Sequence, residues 1–174
     1  HNVAWALSEG LSADVIVADL DLAFGTAGLD FNQEAMQGMA ELLRGVSREN
    51  WERSRQLFEQ AVALDPASRR ALAGVTLSNV NLVLWQWSDD PARAVGRAAQ
   101  ALAQLDLIAP GLLMTRLAHA SMAYTRNDWA GLAAIGEQLV RHHPNEPSAY
   151  HHRCGALLRL ARFEEAIAAC QRAI

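Results

Sequence analysis

The stretch SAYHHRCGALLRLARFEEAIAACQRAI, residues 148–174, carries two amphipathic patterns separated by a short break. Small and apolar residues recur at three- and four-residue spacing, which gathers them on one face of a helix. In the first pattern large Tyr150 is followed by small Cys154 and then by large Leu157. In the second, Phe163, Ala166, Cys170 and Ala173 fall on one face. A short helix gains most of its stability from burying such a face. The spacing therefore predicts a helical hairpin that stacks on a neighbour.

The same text recurs upstream. ALDPAS, LIAPGL and RHHPNEP each set a proline just past an amphipathic helix, at Pro66, Pro110 and Pro144, separated by 44 and 34 residues. A period near ~34 residues, with paired helices closed by proline, is a repeat signature. Over residues 36–174 the chain resembles tetratricopeptide repeat (TPR) proteins, with units at about 36–68, 69–111, 112–145 and 146–174. In NWERSRQLFEQAVALDP, the residues Trp51, Ser54, Phe58, Ala61 and Pro66 follow the second-helix pattern closely. In the third unit Ala120, Trp129 and Pro144 fit, and Tyr124 lies one place past the expected aromatic. There Leu132 stands where a small residue is usual and Gly136 where a large one is. The second unit has about ten extra residues, which the sequence places between its helices around LWQWSDDP. Small residues let paired helices approach, and aromatics fill the space between neighbours. Ser47 and Asp128 suit helix N-caps, and Asp90-Pro91 puts proline at a first helical position.

ELLRGVSRENWERSRQLFEQAVALDP is more particularly similar to TPR regions that follow class III adenylate/guanylate cyclase domains, or winged-helix domains, in bacterial regulators. That resemblance implies a regulatory module of a bacterial signalling protein. The chain carries no cyclase or winged-helix residues.

Residues 1–35 read differently. HNVAWALSEG is an amphipathic helix closed by Gly10, and ADVIVADLDLAF reads as a strand. Val15 to Ala18 are continuously apolar, as in a strand buried on both faces. Residues 1–43 resemble a fragment of a MinD/ParA-type ATPase, most closely the CpaE-like pilus-assembly branch. By that resemblance Asp19 matches the acidic residue of the deviant Walker A′ motif, and Asp21 the second acidic place. The family's phosphate loop would precede residue 1. Phosphate cradling needs a run of backbone N–H groups and a lysine, and the sequence has neither at the right place. The expectation is a vestigial nucleotide/Mg site and no enzyme activity in this chain, although a longer parent would be an ATPase or a cyclase. A phosphatase reading of DLDLAFGT fails at residue 23, which is Ala23 rather than threonine.

Bulk properties narrow the classes. The 174 residues are 51% hydrophobic and 20% charged, a globular composition. Net charge is −4 and no basic stripe appears, so nucleic-acid binding has little support. The most apolar window, LAGVTLSNVNLVLWQW, is interrupted by Ser78, Asn79 and Asn81, which argues against a membrane span. No signal peptide is visible, so a cytoplasmic location is expected. Both ends lie inside helical patterns, as in a fragment. Of six histidines, His142-His143 and His151-His152 are adjacent pairs. Adjacent helical side chains point about 100° apart and chelate poorly, so no metal and no cofactor is expected. Cys154 and Cys170 read as packed thiols at small core positions. No nucleophile-elbow spacing is present. Trp51 and Trp129 read as repeat-core residues, while Trp85 and Trp87 border the insertion, one of them exposed.

The predicted fold class is all-α, a TPR-like solenoid of stacked antiparallel helix pairs, with an N-terminal helix–strand fragment of α/β type. Its concave groove would be lined by Arg70, Leu77 and Asn81, then Met114, Ser121 and Tyr124, then His151 and Arg159. Such a surface suits an extended peptide or helix of acidic or polar character. The favoured function is a non-catalytic protein–protein interaction scaffold. The alternative is a fragment or fusion of a pilus-assembly ATPase of MinD/ParA type. An uncapped end makes homodimerisation plausible.

Overall fold

The computed structural model describes residues 32–173, and among them every regular element is an α-helix. In order these are α1 (Gln33–Leu43), α2 (Arg48–Leu64), α3 (Arg69–Leu84), α4 (Pro91–Ile108), α5 (Leu113–Thr125), α6 (Trp129–His142), α7 (Pro147–Arg159) and α8 (Phe163–Arg172). The first described helix begins at Gln33. Asn32 fixes that start. Its side chain accepts a hydrogen bond from the Ala35 N–H at 3.1 Å and donates one to Ala61 O at 3.0 Å. The expected first helix and strand lie outside the described residues.

Two kinds of turn alternate along the chain. After α1, α3, α5 and α7 the chain reverses with a positive φ two residues past the helix, at Gly45, Gln86, Asn127 and Ala161. Three of these reversals share a second bond. Trp87 N donates to Leu82 O, Asp128 N to Ala123 O and Arg162 N to Leu157 O, at 2.8, 3.0 and 2.9 Å. That pairing satisfies carbonyls a helix end otherwise leaves open. After α2, α4 and α6 the helix stops two residues before Pro66, Pro110 and Pro144. Proline disfavours helical backbone in the residue before it. Starts are equally local. Ser47, Asp90 and Asp128 each accept a backbone N–H three residues on, at 3.1, 3.0 and 2.9 Å.

The extra length of the second repeat is not an inserted loop. Compared with the third repeat, α3 has 16 residues against 13 in α5, and α4 has 18 against 14 in α6. The connection 85–90 is six residues where 126–128 is three. Most of the surplus is helix, because TLSNVNLVL, residues 76–84, continues the helical pattern without a breaker.

The described chain divides into two compact units, with the division between Leu112 and Leu113. In the N-terminal unit α1 packs on α2, α2 on α3 and α3 on α4. Phe58 of α2 is fully buried between α1 and α3. A Cβ built on Gly38 would lie 3.0 Å from its ring, and one on Gly74 would run into it. Helix α3 is buried nearly all round, so its polar side chains bond to backbone. Ser78 Oγ donates to Gly74 O at 2.7 Å, and Thr76 Oγ1 reaches Leu72 O at 3.0 Å and Ala98 O of α4 at 3.3 Å. Those bonds explain how so apolar a helix carries buried hydroxyls without loss.

The C-terminal unit solves the same packing problem with sizes exchanged. On α6, Leu132 is fully buried where α2 has Ser54, and Gly136 stands where α2 has Phe58. A Cβ on Gly136 would lie 3.0 Å from the Arg153 Cα of α7. Tyr150 fixes the other end of α7 by donating to Pro144 O at 2.9 Å. The two cysteines are not free thiols. Cys154 of α7 and Cys170 of α8 form a disulfide with Cα atoms 5.2 Å apart. The sequence expectation placed both on facing small positions, and it is that proximity that lets the sulfurs join.

Opposite signs are expected for two glycine substitutions. Gly74→Ala should destabilise by about 1–3 kcal/mol through overpacking against Phe58. Gly96→Ala, where the added Cβ meets nothing within 4 Å, should stabilise by roughly 0.5–1 kcal/mol. Urea unfolding monitored by circular dichroism measures both. Reducing the Cys154–Cys170 bond, which spans 16 residues, should cost about 3 kcal/mol. A Cys154→Ala/Cys170→Ala variant should show that loss without reductant and none further with it.

Candidate functional site

The residues expected to face a partner fall in both units. In the N-terminal unit Leu77 and Asn81 lie one turn apart on α3 and are half-buried. Asn81 donates its Nδ2 to Leu77 O at 2.9 Å, which leaves its carbonyl to outside donors. Arg70 and Ser121 are each 5% exposed and offer almost no surface to a ligand. Met114 is half-buried on α5, and His151 and Arg159 of α7 are exposed.

The C-terminal unit brings two of the expected residues together through a third. Helix α5 ends just past Tyr124, the turn 126–128 reverses the chain, and Trp129 returns as the first residue of α6. The Tyr124 and Trp129 rings meet edge to face, with centroids 5.2 Å apart and planes at 87°. Arg159, the last residue of α7, places its guanidinium 5.2 Å from the Trp129 centroid. Gly155 lies beside this cluster, where an added Cβ would make an ordinary contact with Tyr124 Cε2 at 3.4 Å. Arg159 makes no ion pair among the described residues. A cation over an indole face is stabilised by about 0.5–1 kcal/mol at an exposed site and keeps its N–H groups available. The cluster therefore offers a held positive charge beside two aromatic rings. Sequence reasoning assigned Trp129 to the core because it leads a second helix. The signal that would have found it is its distance of only five residues from Tyr124 across a tight turn.

The histidine pair on α7 has a different character. The His151 and His152 rings lie 5.8 Å apart. Burial first, and the neighbouring His151 second, push His152 down to about 4. Among the described residues no group of three His, Cys, Asp or Glu side chains is placed to hold a metal ion. Trp85 is 52% exposed and stacks on half-buried Trp87 at 5.7 Å. Asp19 and Asp21 lie outside the described residues.

Compared with known proteins, the chain matches no family model and no curated protein. Among the described residues no helix is long and apolar enough to cross a membrane.

The His152 shift sets a pH dependence. A histidine whose folded pKa lies below its unfolded value of 6.5 resists protonation in the fold. Its effect on stability is absent well above pH 6.5 and grows as pH falls from 6.5 towards 4. The loss should reach at most about 3 kcal/mol, less where solvent reaches the ring. Urea midpoints between about pH 7.5 and about pH 4.5 should show it, and His152→Gln should remove most of that slope.

Proposed function

We propose that this chain is a non-catalytic protein–protein interaction scaffold of TPR type, a regulatory module that binds an acidic extended peptide. The cluster of Tyr124, Trp129 and Arg159 carries the reading. It combines a rigid aromatic surface, which contacts a partner at low entropic cost, with a guanidinium free to take a carboxylate. The TPR assignment is supported by the alternation of two turn types along the chain. It is supported too by the paired size pattern of Ser54 and Phe58 against Leu132 and Gly136. The bound peptide would run along α5 and α7, past Met114 and His151, with an acidic side chain at Arg159.

Selection of a displayed random-peptide library on the protein tests this. Acidic sequences should be enriched, and Tyr124→Ala/Arg159→Ala should weaken binding of the selected peptide roughly tenfold or more. Because Tyr124 also packs on Trp129, Arg159→Ala alone is the variant whose thermal unfolding should change little. Equal affinity for wild type and variant, or enrichment of sequences with no acidic bias, would exclude this surface as the site.

A further inference from the structure

Helix α8 is held to α7 mainly by the bond between Cys154 and Cys170, a point independent of the peptide-binding reading. The other second helices are seated by large side chains. Phe58 of α2, Leu105 of α4, and Leu132 and Leu139 of α6 are fully buried. On α8 only Ala166 and Ala169 are buried. Its two large apolar residues face solvent instead, with Phe163 59% exposed and Ile167 58% exposed. The core that the two alanines enter is small and is completed by Leu157 and Cys154 of α7.

The other ties of α8 are weak or local. Its start has no side-chain cap, whereas α2, α4 and α6 each have one. The Arg162–Glu165 ion pair at 2.7 Å spans the first turn of α8 and does not reach α7. Across the hairpin Arg172 donates to the Tyr150 hydroxyl at 3.4 Å, a long hydrogen bond. The turn before α8 adds a cost, because Ala161 holds φ 57°, where a residue with a Cβ is disfavoured. Helix α8 has 10 residues. Isolated helices shorter than about 12–15 residues are marginal in water.

We propose that Cys154–Cys170 is a reversible redox-modification site, a latch that a dithiol reductant opens. Opening releases α8 from α7 while the rest of the described chain stays folded. A thiolate of the reductant attacks one cysteine sulfur and displaces the other as a thiolate. The second thiolate of the reductant then breaks the mixed disulfide, and the reductant leaves as a disulfide. Two electrons have passed to the protein, and two protons complete the cysteine thiols. Both cysteines are half-buried, so the bond lies towards the surface of the hairpin. The chain has two cysteines in all, so within one chain oxidation restores the same bond. Release of α8 uncovers Leu157, which is 2% exposed while the latch is closed.

Amide hydrogen exchange of the full chain, oxidised and in dithiothreitol, tests this, with thiol titration to follow reduction. Once the bond is reduced, the α8 amides of residues 167–172 should exchange roughly 100-fold faster. The amides of α5, α6 and α7 should keep their protection. Replacing dithiothreitol with oxidised glutathione should restore the protection of α8. Cys154→Ala/Cys170→Ala should match the reduced chain with and without dithiothreitol. A bond that dithiothreitol leaves intact in the folded protein overturns the proposal. So does α8 protection that survives reduction, protection lost throughout α5–α7, or protection that does not return on reoxidation.

Discussion

The N-terminal unit depends on one close approach. Phe58 fills the space between α1 and α3 only because Gly38 and Gly74 present no side chain there. A buried phenylalanine contributes roughly 1.5–3 kcal/mol, but here the larger effect is geometric. The ring sets how near α1 and α3 come to α2, and a well-packed core does not absorb an extra methyl group cheaply. From that spacing follow the Ser54 hydroxyl bond to Gly38 O at 2.9 Å and the reach of Glu59 across α3 to Arg97. The C-terminal unit keeps the same constraint with its terms exchanged. Gly136 on α6 admits the α7 backbone, and Leu132 supplies the bulk one turn earlier.

Much of this was legible because it is local. The prolines at 66, 110 and 144 and the caps Ser47, Asp90 and Asp128 act within one turn of themselves, so residue type alone placed six helix ends. The reversals after α3 and α7 were not legible, because Gln86 and Ala161 adopt positive φ without the glycine that usually announces it. Gln86 also misled the length argument. With no glycine or proline in LWQWS, the end of α3 carries no mark in the sequence, and surplus helix was read as loop. The disulfide failed for a different reason. Spacing put Cys154 and Cys170 at small core positions on the two helices of one repeat, but whether two such thiols pack or bond turns on ångström-level register that periodicity does not contain.

The candidate sites divide along the same line. Tyr124 and Arg159 were reachable because both lie in the last turn of a first helix, α5 and α7, which the repeat frame identifies. Arg70 and Ser121 came from the same frame yet are buried, since the apolar arc of α3 and α5 is wide enough to cover them. The cleft between α2 and α4 had no signature at all, because its lining comes from three helices and the connection 85–90. Only the packing of α2 and α4 on either side of α3 makes those residues neighbours.

The proposed peptide site in the C-terminal unit rests on the placement of one helix. Arg159 stays over Trp129 only if α7 is held in place, because the guanidinium sits at the end of that helix and a small rotation would lift it from the ring. Two restraints oppose such a rotation. The disulfide ties α7 to α8 at Cys154, five residues before Arg159. Tyr150 anchors the start of α7 to Pro144 and carries Arg172 of α8 5.3 Å over its ring. Between them Gly155 of α7 lies against Tyr124. A surface fixed in this way loses little conformational freedom when a partner arrives, and rigid presentation raises affinity mainly by reducing that loss. On the proposed reading the covalent bond does more than constrain the unfolded chain, since it joins α8 to the helix that carries the exposed charge beside the two rings.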